Sequence, residues 1–243
     1  MPAVRGDALA RQSLTRPIPS AEAEGIQATL AQRLRFCGLA LRQVRRVAGA
    51  ACASTGDQLF AAAVLLEFPA LAFIEQTAAQ ATAPMPYIAG LRAFREGAAL
   101  IAAIERLCSV PDVIFFSGHG AAHPRGCGLA SHVGLALGLP AVGCAVRPVG
   151  GRATLSFGEP GDCAPLLDEQ GRQVGAAVVT RHGSRPVLVS PGHLVDLGAA
   201  VSLTLACCRG RVLPEPLRLA ASFARAARKD SSPHHPEPSA ASP

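Results

Sequence analysis

Three apolar stretches, Val44–Ser54, Leu59–Phe68 and Leu71–Thr82, follow one another with only short breaks between them, Ser54-Thr55-Gly56-Asp57 and Pro69-Ala70. Breaks that short predict consecutive antiparallel strands joined by tight turns. The pattern then changes. Arg92–Cys108 carries Phe94, Leu100, Ile101, Ile104 and Leu107 on one side of a predicted helix. Val113–Phe116 is short and wholly apolar, as expected for a strand covered on both faces. A helix near Leu129–Leu137 and a strand near Ala141–Ala145 come next. Strands and helices in that alternation imply right-handed parallel crossovers. Further strands are expected at Gln173–Arg181 and Pro186–Ser190, a helix at Leu194–Cys208, and a last short helix over about 217–229. The predicted fold is α/β: one mixed sheet, three antiparallel strands and then parallel strands, flanked by helices.

The chain has 243 residues, 49% of them hydrophobic, enough for a sizeable buried core. Charged residues make up 16%, below the usual ~25%, which excludes wholesale disorder. Residues 1–19 show no periodicity and read as a loose lead-in. From Ser20, Ile26, Leu30, Leu34, Cys37 and Leu41 recur at three- and four-residue steps, predicting one amphipathic helix. Residues 20–229 form a single expected domain. The Ser/Pro/His-rich tail, 230–243, is expected to be disordered.

The net charge of +6 favours an anionic partner, with nucleic acid first among the candidates. Nearly all of the positive charge is Arg, whose planar fork suits phosphate; Lys229 is the only lysine. An Ala-, Gly- and Arg-rich composition also fits a GC-rich genome. Ala61–Phe73, the most apolar run, is broken by Glu67 and Pro69, and the N-terminus carries Arg5, Asp7, Arg11 and Arg16. Neither reads as a membrane span or a secretion signal. The eight cysteines contain no CxxC pair, which points to small buried hydrophobes in a reducing compartment and a cytoplasmic protein.

Chemistry is expected at strand ends and in the loops beyond them. The densest candidate is Ser117-Gly118-His119-Gly120-Ala121-Ala122-His123-Pro124-Arg125, where glycines permit close backbone approach and Arg125 can reach phosphate. His119, His123, Cys127 and His132 raise the question of zinc, but no second ligand couple accompanies them, and none is expected. Pro84–Gly90, stiffened by prolines, offers Tyr87 as an aromatic face for a base or sugar. Glu96 reads equally as a metal ligand, a general base or a helix-start charge. His193, after Pro191-Gly192, is a third polar strand-end residue.

Seven segments, in order, resemble endonuclease V, the family acting on nucleic acid that contains deaminated adenine. They are Met85-Pro86-Tyr87-Ile88, Phe94-Arg95-Glu96, Gly118-His119-Gly120 with His123-Pro124-Arg125, Gly128 with Ala130-Ser131-His132, Glu159-Pro160-Gly161, Gly192-His193, and Leu213-Pro214-Glu215-Pro216. The resemblance implies a ribonuclease H-like fold and metal-assisted phosphodiester hydrolysis 3′ of the lesion, with magnesium held by carboxylates. It implies three such ligands: an Asp on the first strand, the Glu of Phe-Arg-Glu, and an Asp before Gly-His-Gly.

Here the first position is Ala51 and the third is Ser117; the family's Lys after the fifth strand falls at Val146, next to Arg147. Glu96 and His193 are retained. Asp57, Glu67 and Asp112 are not placed to substitute. The expectation is an endonuclease V-like binder of inosine-containing DNA or RNA whose cleavage is lost or strongly reduced. Pro86, Tyr87 and Ile88 would wedge the strand, and Gly118, His119, Gly120 and His123 would line the base and phosphate site. Arg125 and Arg147 would contact the backbone. The alternatives are weak cleavage through Glu96, His193 and a metal held partly by substrate, or a structural protein that keeps only the fold.

Overall fold

The computed structural model describes residues 6–149, 152–153 and 158–231. The three apolar stretches become β1 (Arg46–Thr55), β2 (Gln58–Glu67) and β3 (Phe73–Thr82), paired antiparallel in sequence order. β2 is buried along almost its whole length because it has a neighbour on each edge and a helix over each face. After α3 (Arg92–Ile104), β4 (Val113–Ser117) pairs parallel with β1; after α4 (Leu129–Leu137), β5 (Ala141–Ala145) pairs parallel with β4.

Beyond β5 the sheet turns antiparallel again. β9 (Val187–His193) runs against β5, followed outward by β8 (Gln173–Val178), β7 (Cys163–Leu167) and β6 (Arg152–Ala153). The order across the nine described strands is β3-β2-β1-β4-β5-β9-β8-β7-β6. β6 and β7 were not foreseen: β6 is two residues long and β7 is largely exposed, so neither carries a strand pattern.

Helices cover both faces. On one, α1 (Ala8–Ser13), α2 (Ser20–Ala31), α3 and α4 bury Leu14, Leu30, Phe94 and Leu100 against Ala48, Ala50, Ile114 and Phe116. On the other, α5 (Leu197–Cys207) and α6 (Glu215–Asp230) pack Leu203, Leu217 and Ala220 on Val47, Ala51, Val64 and Phe115. The second layer is pressed so close that a Cβ on Gly49 would stand 2.1 Å from the Pro216 carbonyl oxygen.

Three expectations are corrected here. The lead-in is not loose at residues 8–13. Asp7 caps α1 by accepting from the Ala10 amide at 2.9 Å, and its own amide donates to Leu135 O. Six residues are too few to show a period; the helix forms because it docks on α4. The helix begun at Ser20 stops at Ala31 rather than running on to Leu41. Past it, Arg35 O accepts from the Leu194 amide, so this backbone finds partners beside β9 instead of within a helix. Cys127, Cys144 and Cys207 are buried as expected, whereas Cys37, Cys108 and Cys163 are exposed; none is in a disulfide. The tail from residue 232 lies outside the described residues.

Candidate functional site

At the C-terminal ends of β4 and β5 lies a cleft of about 340 Å³, walled by Tyr87, Arg92, Ser117, Gly118, His119 and Arg147 among others. The parallel register sets Ala50 beside Phe116, and one step further along are Ala51 and Ser117. These two positions are therefore neighbours, Ser117 at the end of β4 and Ala51 midway along β1. Ala51 is buried in the apolar layer beneath α6, among Val64, Phe115 and Leu217.

The loop carrying Tyr87 is pinned at both ends. Arg95, itself buried, donates to the Met85 carbonyl and, at 2.7 Å, to Gly56 O. At the other end Gly90 O accepts from Gln27 Nε2 at 2.9 Å and His123 Nε2 at 3.0 Å. Gly90 has φ +82, and a Cβ there would stand 2.9 Å from Arg125 Nη2. Between the two anchors Tyr87 is 65% exposed on the cleft rim, with Val146, 62% exposed, also lining it. Pro86 is exposed beside it and Ile88 is half-buried against the core. An exposed ring on a fixed loop loses little entropy when a base stacks on it.

Gly120 does not face the cleft. Its amide donates to Ser190 Oγ at 2.9 Å, and a Cβ would strike Pro191 O at 2.2 Å. The glycine there lets the loop lie backbone-to-backbone on β9, whereas Gly118 lines the cleft. His119 Nε2 donates to Arg147 O at 2.9 Å. Burial, with Arg92 nearby, holds His119 below the usual imidazole range despite that bond. His123 is pushed down to about 4 by burial and by Arg125, so it serves as a neutral latch between two loops. His132 is also held at about 4 by complete burial, beside Ser13 Oγ at 2.9 Å and edge-on to the Phe94 ring. Cys127 is buried with its thiol pushed up to about 12 by desolvation.

Two predicted site residues are placed elsewhere. Arg125 donates through Nε to Gln27 Oε1 at 2.7 Å and pairs with Glu24 at 3.4 Å, so it braces α2 and is not part of the cleft wall. His193 pairs with Ala141 at the start of β5, whereas the cleft lies beyond Ala145 at its end. β9 runs antiparallel to β5, and its C-terminal end therefore falls at the opposite end of the strands from the cleft. There His193 is buried, its Nδ1 accepting from the Arg35 amide at 3.4 Å.

The residue that sequence reading passed over is Arg92. Its Nε donates to Glu96 Oε1 at 3.0 Å and its Nη2 to Glu96 Oε2 at 2.8 Å, while Nη1 donates to the Ser117 carbonyl at 3.0 Å. Burial opposes the Arg92 charge, but the bonds and charge of Glu96 outweigh it, with Tyr87 and Cys52 adding, and its pKa is raised. Glu96 also helps push the neighbouring Cys52 thiol up to about 12, after desolvation. The signal was present in the i,i+4 spacing of Arg92 and Glu96.

A family model described as Endonuclease V matches residues 28–222. The chain belongs to the endonuclease V family. It is 44% identical to endonuclease V of Methanothrix thermoacetophila over 199 residues, covering 82% of this chain and 87% of that one. The crystal structure of endonuclease V from Streptomyces avermitilis superposes with a TM-score of 0.84 at 35% identity, covering 95% of this chain and all of that one. A Ciona intestinalis endonuclease V, in complex with a 24mer DNA containing an inosine followed by a ribo-adenosine, shares the fold at a TM-score of 0.78 and 21% identity, with 86% and 97% of the chains covered. The fold is ribonuclease H-like, as the resemblance implied.

Family members are metal-dependent nucleases, but the residues here do not fit a magnesium site. Ala51 offers a methyl, Ser117 a neutral hydroxyl, and both Glu96 oxygens accept from Arg92. Asp57 is exposed on the β1–β2 turn, and Asp112 accepts from the Arg45 and Arg46 amides at the far end of β4. Among the described residues no three His, Cys, Asp or Glu side chains gather as a metal would need.

Proposed function

We propose that this chain binds inosine-containing or otherwise distorted nucleic acid in the cleft, and that metal-dependent phosphodiester cleavage is lost or strongly reduced. The observation carrying this reading is the engagement of Glu96, the one retained acidic ligand position, by Arg92, with Ala51 and Ser117 at the other two positions. Magnesium demands hard oxygen ligands in near-octahedral geometry, and a carboxylate already bonded at both oxygens to a guanidinium is a poor start.

Binding is favoured by what remains. Tyr87, held out on an anchored loop, presents a face on which a splayed base stacks, and Val146 extends the apolar rim. Arg92 and Arg147 supply positive charge in the same wall. The Ciona relative's complex with inosine-containing DNA suggests the ligand. His119 closes the back of the cleft as a neutral donor to Arg147 O. His193 has no part in this reading, being at the opposite end of the strands from the cleft. The eight cysteines, none of them in a disulfide, favour a reducing compartment, and we propose the cytoplasm.

The test is a denaturing-gel cleavage assay on an inosine-containing single strand, with protein in excess and magnesium or manganese supplied, alongside a native gel. A retarded band without cleavage supports the reading. Metal-dependent cutting 3′ of the lesion, abolished by Glu96→Gln, would overturn it in favour of a weak nuclease. Binding unchanged by Tyr87→Ala would point to a protein that keeps the fold but not the interface.

A further inference from the structure

The cleft contains a cation placed between two of the family's three metal-ligand positions. Arg92 joins the Glu96 carboxylate to the backbone oxygen of Ser117 with three hydrogen bonds from one guanidinium. We propose that this guanidinium replaces the divalent metal as the fixed cation of the site and binds a phosphate of the strand without metal. The proposal rests on the nucleic-acid-binding reading above and names the group that does the binding.

Three features set Arg92 apart from an ordinary helix-surface pair. First, Arg92 lines the cleft at 33% exposure while Glu96 behind it is only 11% exposed, so the pair is not in bulk water. Second, the guanidinium is held by both Glu96 oxygens and by the Ser117 carbonyl, which fixes its plane before any ligand arrives. Third, a guanidinium has five N–H donors. Three are committed, which leaves one on Nη1 and one on Nη2 to donate to a phosphate.

The charge balance points the same way. A divalent ion on three carboxylates leaves the site one negative charge. Arg92 on a single carboxylate leaves it neutral, and Arg147 in the same wall then makes the cleft attractive to phosphate. The cation is covalently part of the chain, so binding needs no metal and chelation cannot remove it. Unlike a metal ion, a guanidinium has no bound water to ionise, so the substitution keeps the anchoring of phosphate and gives up the activated nucleophile.

The experiment is fluorescence anisotropy of a dye-labelled inosine-containing single strand, titrated in EDTA and in magnesium across a salt series. It compares the parent with Arg92→Lys and with the double variant Arg92→Met/Glu96→Gln, which removes both charges while keeping the volumes. The parent is expected to bind equally in EDTA and magnesium. The double variant is expected to bind about tenfold more weakly, with a log–log salt slope shallower by about 0.7, one phosphate contact's share on a single strand. Arg92→Lys retains Glu96's partner and the charge but not the fork, so it should keep the parent's salt slope and lose only part of the affinity. It also separates a lost contact from a lost fold.

An unchanged affinity and slope in the double variant, with a parent that binds, would overturn the role of Arg92 and leave nucleic-acid binding standing. A parent that binds only in magnesium would overturn the replacement of metal. A parent that binds under neither condition would sink the underlying reading.

Discussion

Removing the Arg92 side chain tests the geometry of the cleft independently of any ligand. In Arg92→Met the Glu96 carboxylate, 11% exposed, loses both of its hydrogen bonds. Breaking a fully buried ion pair costs about 3–5 kcal/mol. Arg92 is a third exposed, so water recovers part of that loss, and about 2 kcal/mol is expected. For a domain of this size that corresponds to a melting temperature lower by about 4–8 °C. Glu96→Gln alone should cost about 1 kcal/mol, because the amide still offers an acceptor to the guanidinium. The double variant carries no unpaired charge and should be no worse than Glu96→Gln. The cycle therefore predicts a coupling of about 2 kcal/mol. Reversible denaturant or thermal unfolding of the four proteins, followed by circular dichroism, measures it. An Arg92→Met protein that melts within a degree of the parent would refute the reasoning, since Glu96 would then be solvated and not held.

Three further outcomes follow from the same geometry. Tyr87→Ala should weaken binding to an inosine-containing strand by about 1–3 kcal/mol, the value of one stacked base, with an unchanged melting temperature because the ring is mostly in solvent; paired anisotropy and melting runs check both halves. His123 and His132 are held at about 4 against an ordinary 6.5, so the fold accommodates their neutral forms. Depressed folded values give a stability fully present above about pH 6.5 and lost as pH falls toward 4, on the order of 3 kcal/mol for the fully buried His132, and a flat melting temperature from pH 7 to 4.5 would contradict this. Gly90→Ala should cost about 1–2 kcal/mol and also weaken strand binding, because a Cβ at φ +82 meets Arg125 and loosens the anchor of the Tyr87 loop; wild-type affinity in this variant would show that the anchor is irrelevant.

Much of the sheet was legible because its strands are defined by local pattern. Val113–Phe116 of β4 and the whole of β5 are short and apolar, β2 is apolar everywhere between Gln58 and Glu67, and the breaks around Gly56 and Pro69 are too short for anything but tight connections. The order of motifs gave the family and marked Ala51 and Ser117 as departures. Both are local statements about which side chain stands at which step. α1 was illegible because six residues carry no period, and the end of α2 because Leu34, Cys37 and Leu41 keep helical spacing while their backbone bonds elsewhere.

The site divides along the same line. The sequence by itself determined that a glycine- and histidine-bearing loop follows β4, that Tyr87 lies in a proline-stiffened loop, and that Ala51 and Ser117 stand where the resemblance implies acidic side chains. These are chemical facts about residue types, independent of where the chain goes. Only the tertiary structure decided where each group ends up. The antiparallel entry of β9 beside β5 sends His193 to the end of the strands away from the cleft. The docking of α2 occupies Arg125, and the close contact with β9 uses Gly120 as packing. The fold brings Arg92 between Glu96 and the Ser117 carbonyl, residues 25 apart in Arg92–Ser117 sequence separation, and so places a fixed positive charge at the site. Strand direction and helix docking are global properties, set by which apolar faces must be buried together, and no local pattern encodes them.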